Sequence, residues 1–99
     1  MLIVAGRFEV EPEEREAFIE QRHDLMNHSR AEKGCHAYVF CADPIEPGRV
    51  ILFERWESQE DLSAHLEAMA TRGGPPSDIQ PKSAEIARYE VSEAGPLGR

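Results

Sequence analysis

Glu54, Trp56 and His65 are the residues of this chain whose types and spacing best suit chemistry, and all three fall within Val50–Leu66, VILFERWESQEDLSAHL. Glu54 interrupts an apolar strand, and a carboxylate in such surroundings must be paired or protonated. It can hold His65 or Arg22, or simply anchor the helix layer. Trp56, two residues on, shares its strand face and offers a large wall and one N–H. His65 stands on the apolar face of the following helix, where an imidazole serves as a general base or a hydrogen-bond donor near neutral pH. The plainer reading is a core histidine bonded to a neighbouring carboxylate. Arg22 occupies an otherwise apolar helical stripe, where it can neutralise an anionic substrate, pair with Glu54, or extend to the edge of the layer. His36, Tyr38 and Phe40 alternate on one strand face and line either a pocket or a dimer seam.

The elements that must position these groups are legible in the pattern. Leu2, Val4, Phe8 and Val10 alternate with Ile3, Ala5, Arg7 and Glu9 as a first strand. Pro12 is suited to open a helix, because its missing N–H has no partner there in any case. Phe18, Ile19, Leu25 and Met26 then predict one helix from Glu13 to about Glu32, ended by Gly34 as a left-handed cap. Cys35–Ala42 is predicted as a second strand with Cys35, Ala37, Val39 and Cys41 on the face opposite His36, Tyr38 and Phe40. The turn-forming run Asp43–Gly48 joins it to a third strand, Val50 to Trp56, apolar on both faces at its start. Ser58 caps a second helix, about Gln59–Thr71, with Leu62, His65, Leu66 and Met69 on one face. A Gly-Pro loop leads to a last strand, Glu85–Val91. The order β-α-β-β-α-β predicts an α+β, ferredoxin-like antiparallel sheet with two helices on one face. Residues 1–91 then form a single domain, and 92–99 a flexible tail. Two helices leave one apolar sheet face bare, which a second copy of the chain would cover in a two-fold homodimer.

Composition narrows the function. Ninety-nine residues, 40% hydrophobic and 30% charged, describe one ordinary globular domain. The net charge of −8 argues against nucleic acid, which is held by clustered Lys and Arg. No stretch has the length of a membrane span, and the opening MLIVAG lacks the basic flank of a signal peptide. Cys35 and Cys41 would lie roughly 20 Å apart along one strand at about 3.3 Å per residue, too far for a disulfide. Two free thiols suit a reducing cytoplasm. Neither a zinc-type His or Cys spacing nor a Gly-rich nucleotide loop nor a nucleophile elbow is present.

Glu32-Lys33-Gly34-Cys35-His36-Ala37-Tyr38, followed by Phe53-Glu54-Arg55-Trp56-Glu57-Ser58 and Ala64-His65-Leu66, resembles the antibiotic biosynthesis monooxygenase domain, a family that includes quinol monooxygenases. The likeness covers about residues 1–70. It implies a dimeric α/β barrel and oxygenation of a small aromatic by O2 without metal, flavin or haem. In that setting His65 would be the base or proton relay with Glu54 beside it. Arg22 would be the counter-charge, and Trp56, Tyr38, Phe40 and His36 the substrate-binding residues. Two features depart from the family. Glu67–Thr71 runs straight into the Gly-Pro loop where family members continue with a further helix, so one pocket wall is shortened or replaced. The haem-degrading branch matches poorly: its first-strand asparagine falls at Gly6, its tryptophan at His65, and its haem-ligand histidine has no counterpart after Thr71. Besides the monooxygenase, the sequence leaves open a non-catalytic dimer that binds a small molecule and an isomerase on the same scaffold.

Overall fold

The computed structural model describes residues 1–75 and 78–98. Four strands, β1 (Leu2–Glu9), β2 (Cys35–Ala42), β3 (Arg49–Trp56) and β4 (Ser83–Glu90), form one antiparallel sheet in the order β2-β3-β1-β4. The helices are α1 (Arg15–Glu20), α2 (His23–Arg30) and α3 (Gln59–Arg72), with a 3-10 turn over Pro12–Glu14 before α1. This is the ferredoxin-like arrangement.

The long first helix expected from Glu13 to Glu32 is divided in two at Gln21 and Arg22. The cause is the Arg22 side chain. Its Nη1 donates to the Phe18 carbonyl at 2.9 Å, the oxygen that the Arg22 backbone N–H would bond in a regular helix. That N–H turns instead to the Ile19 carbonyl, also at 2.9 Å, which tightens the turn and breaks the rod. α2 ends at Arg30, so Gly34 is not its cap. With φ of 81°, Gly34 forms the corner into β2, and a Cβ there would overlap the Asp61 side chain at the start of α3.

Register sets the faces of the sheet. Leu2, Val50, Leu52, Glu54 and Trp56 turn toward the helices and are buried, as are Tyr38 and Phe40. A bulge between Cys35 and Ala37 alters the expected alternation at the start of β2. Cys35 comes opposite Trp56 and packs against the core, whereas His36 is the extra residue and is exposed. Phe18, Leu25, Met26, Val10, Leu62 and Ile79 complete the core. On α3 the inward groups are Leu62, His65 and, in part, Met69, while Leu66 is 55% exposed. The other sheet face carries Ile3, Ala5, Val39, Ile51 and Phe53 in adjacent register, with Phe53 36% exposed. The sheet is therefore buried on one face only within this chain. β4 is exposed along its whole length.

Asp43 closes the β2–β3 hairpin as its turn chemistry predicts, accepting the backbone N–H groups of Ile45 and Glu46. Beyond α3, Gly73 has a φ of 86° and stops the helix. The chain then returns inward. Ile79 is buried and Gln21 Nε2 donates to Asp78 at 2.8 Å; residues 76 and 77 of the expected Gly-Pro loop lie outside the described residues. Among the described residues no helix is long and apolar enough to cross a membrane.

Candidate functional site

β3 and α3 meet through a short corner, and that connection assembles the site. Ser58 caps α3 by accepting the Asp61 N–H at 3.2 Å, which starts the helix three residues after Trp56. His65 lies two turns into α3 and so comes back over the end of the sheet. Its ring stands 4.8 Å from the Trp56 ring and 5.2 Å from the Tyr38 ring, and only 2% of the residue is exposed.

The partner of His65 is Glu32. Nδ1 and Glu32 Oε1 are 2.6 Å apart, whereas among the described residues Glu54 makes no hydrogen bond or ion pair with His65 or Arg22, two of the partners its sequence position allowed. Among the described residues the other ring nitrogen, Nε2, makes no hydrogen bond. Glu32 reaches α3 because of the corner after α2. The Cys35 N–H bonds the Glu32 carbonyl, the Glu57 N–H bonds the Gly34 carbonyl, and Gly34 lets this corner sit against Asp61.

Glu54 is buried beneath the same aromatic rings and accepts the Trp56 indole N–H at 2.9 Å. Burial pushes its carboxyl above the usual glutamate range, against the pull of the Trp56 N–H and of His65. Tyr38 is held strongly toward its neutral form, first by burial and then by the negative charge of Glu54, with Ser29 opposing. Burial also pushes the Cys35 thiol up.

Arg22 lies at the other end of the layer. Its guanidinium carbon is 3.6 Å above the Phe18 ring and 5.8 Å from Phe40. Phe8 sits between, 5.4 Å from Phe18 and 5.9 Å from Phe40, and Phe40 is 6.0 Å from Tyr38. A row of rings thus runs along the inner sheet face from Arg22 to His65. Arg22 is 8% exposed, and no carboxylate pairs with it among the described residues. Burial holds its pKa below the usual arginine value, with Tyr38 the one opposing group. A buried cation without an anion is an uncommon arrangement in a finished core.

The structure thus brings Glu54, Trp56, Tyr38 and His65 together and sets Phe40 and Arg22 at the far end of the aromatic row. His36 does not belong. The bulge turns it outward, where its Nε2 meets Glu57 at 2.7 Å. Glu32 is the residue that sequence reasoning missed. It was visible only as part of the Glu-x-Gly-Cys run, and nothing local pointed it at a histidine 33 positions away. An open depression of about 460 Å³ beside the pair is lined by Glu32, Lys33, Glu60, Asp61, Ala64 and His65.

Comparison with known proteins agrees with this geometry. Residues 1–72 match the family described as antibiotic biosynthesis monooxygenase. The Synechocystis protein sll1783 is 31% identical over 100 residues, spanning 97% of this chain and 67% of its own. YcnE, a proposed monooxygenase of Bacillus subtilis, is 28% identical over 95 residues, 94% of this chain and 100% of its own. Among solved structures, Rv0793 of Mycobacterium tuberculosis superposes with a TM-score of 0.68 at 25% identity, over 95% of this chain and 98% of that one. The haem-degrader MhuD of the same organism, solved with two haems in its active site, superposes at 0.72 over 97% of this chain and all of its own. At 15% identity that likeness is one of fold alone.

Proposed function

Since the chain belongs to the antibiotic biosynthesis monooxygenase family, we propose that it is a cofactor-independent monooxygenase that oxidises a small quinol or polyketide-like aromatic with O2. One observation carries this reading: a buried imidazole lies against two aromatic rings, with one nitrogen held and the other unengaged among the described residues. An electron-rich phenol or quinol becomes a reductant for O2 once it loses its proton. The substrate then gives up two hydrogens and gains one oxygen atom, and the second oxygen leaves as water. The protein's part is to take the proton, exclude water and stabilise the anion.

His65 Nε2 takes the substrate proton, Trp56 and Tyr38 form the walls around it, and Glu54 sets the local charge. Phe40 continues the wall toward Arg22, whose uncompensated guanidinium serves as counter-charge to an acidic or phenolate group on the substrate. The same reading takes the working unit to be a homodimer. Ile3, Ala5, Val39, Ile51 and Phe53 form an apolar sheet face that one chain leaves uncovered, and a second sheet packed upon it completes a dimeric barrel. Analytical ultracentrifugation should give twice the chain mass, with Phe53→Asp shifting the equilibrium to monomer.

The test of the activity is oxygen uptake by metal-free protein with a panel of small quinols and dihydroxynaphthalenes, autoxidation subtracted. Uptake should fall at least about tenfold in His65→Ala, at or beyond the lower edge of what a general base contributes. Unchanged uptake in that variant removes His65 from the mechanism. No uptake with any quinol favours the second reading, a non-catalytic dimer that binds a small molecule. One observation supports that alternative: the segment after α3 contributes Ile79 to the core in place of a further helical wall.

A further inference from the structure

We propose that Glu32 is the positioning residue of His65: its carboxylate holds the imidazole proton on Nδ1 and so leaves Nε2 as the basic nitrogen. This rests on the proposed role of His65 as proton acceptor and adds a second residue to it. Which ring nitrogen carries the proton is set by the hydrogen bond that the other makes. Among the described residues only Nδ1 has a hydrogen-bond partner, and that partner, a carboxylate, is strictly an acceptor when ionised. At 2.6 Å the contact has the length of a charge-assisted bond.

The two ends of the pair sit in different surroundings. The His65 side chain is 1% exposed, whereas that of Glu32 is 23% exposed and reaches the open depression beside α3. A carboxylate at the edge of the layer can orient the ring while keeping contact with water, and it can compensate the imidazolium that forms when Nε2 takes a proton. Nε2 points away from Glu32, as the geometry of the ring requires. The Glu32 side chain makes no other hydrogen bond or ion pair among the described residues, so nothing competes for it. The remaining charged or titratable groups near the ring are Glu54 on β3, Tyr38 on β2, and Lys33, Glu60 and Asp61 around the depression. None of them reaches Nδ1.

The backbone supports the same assignment. The Ala31–Gly34 corner is tied by the Cys35 N–H to Glu32 and by the Glu57 N–H to Gly34, and the left-handed Gly34 allows it to approach Asp61. These contacts fix the root of the Glu32 side chain against α3. A residue placed this firmly acts on ring orientation as well as on charge.

The experiment is long-range 1H–15N NMR of the His65 ring in its neutral form, together with oxygen uptake, in the wild type, Glu32→Met and Glu32→Ala. In the wild type Nδ1 should be the protonated nitrogen. Glu32→Met keeps the length of the side chain without an oxygen acceptor, and Glu32→Ala removes the side chain. In both, the proton should move mainly to Nε2, and uptake should fall about 10- to 100-fold, the range seen when a metal-ligating histidine loses the partner that orients it. Urea melts establish that each variant is folded, and the Met variant carries the test if the Ala variant is not. A wild-type ring protonated on Nε2, or a Met variant with the wild-type tautomer, overturns the inference. A tautomer that moves while uptake stays constant overturns the catalytic part of it. A tautomer that moves in a protein with no uptake at all supports the hold of Glu32 on the ring and sinks the monooxygenase reading instead.

Discussion

Replacing Arg22 by Met should leave the fold as stable as before or raise its stability, while weakening the response to aromatic anions. Among the described residues the guanidinium makes one hydrogen bond, to the Phe18 carbonyl, and it stacks on the Phe18 ring. A charged hydrogen bond contributes about 1.5–3 kcal/mol, and a cation over a ring about 0.5–2 kcal/mol. Against these stands the effective cost of burying an unpaired ion, several kcal/mol. Met keeps the unbranched apolar stem over Phe18 and restores about 0.3–1.5 kcal/mol through sulfur–aromatic contact. The Phe18 carbonyl is not stranded either, because the residue 22 backbone N–H can return to it and close the break between α1 and α2.

The balance lies between zero and about 2 kcal/mol in favour of the variant. At about 4–8 °C per kcal/mol for a domain of this size, the melting temperature should hold or rise by up to roughly 16 °C. Thermal and urea melts at equal protein concentration measure this, and a rise in helical circular dichroism reports closure of the break. Function should move the other way. Salicylate, an aromatic anion, should raise the melting temperature of the wild type and not that of Arg22→Met, while neutral phenol should treat them alike. At a hundred times its dissociation constant a ligand adds about 2.7 kcal/mol, which is easily read in such a melt. A variant destabilised by more than about 2 kcal/mol would refute the reasoning, because it would mean that the fold already satisfies the charge.

Two other perturbations test the site's surroundings. Glu54 has a folded-state pKa raised above its unfolded value, so its contribution to stability is complete below the unfolded pKa and is lost as pH rises through the folded one. Glu54→Gln, which can still accept the Trp56 N–H, should therefore gain on the wild type from about pH 4 upward and then level off. Parallel urea midpoints across pH 4–8 contradict this. Gly34→Ala places a Cβ at φ of 81° and into the Asp61 side chain, and should cost at least about 2 kcal/mol in a urea melt. A loss below about 1 kcal/mol shows that the corner relaxes.

The parts of the fold that were legible in the sequence are those decided by neighbours along the chain. Alternation placed the first two strands and an apolar run the third, the Asp43–Gly48 turn closed as its residues required, and Ser58 with Asp61 marked the start of α3. Period-two counting put Glu54 and Trp56 on one face of the third strand, but the strand is apolar on both sides at its start and only the structure shows that this face turns toward the helices. The features that escaped are decided elsewhere. A helix pattern cannot reveal that the Arg22 side chain takes the Phe18 carbonyl and breaks the rod. Alternation in β2 cannot show that one extra residue, His36, turns outward, because a bulge is a matter of register with the neighbouring strand, where Cys35 pairs with Trp56 and Ala37 with Arg55. Ile79 sits among polar and proline residues, and only its return to the core distinguishes it from loop.

The misassignment around His65 has the same origin and carries the larger consequence. A sequence reader pairs His65 with the acid that interrupts the apolar strand, since Glu54 is the group with an evident need for a partner. The structure meets that need with Trp56, one pleat away, and leaves the histidine to Glu32. The two carboxylates are thereby given opposite environments. Glu54 is buried and pushed toward its protonated form, whereas Glu32 keeps contact with water. The imidazole is thus held at Nδ1 by the carboxylate nearer to solvent, while its ring packs against Trp56 and Tyr38. A base able to work inside an apolar layer thus follows from the long-range contact that local pattern could not supply.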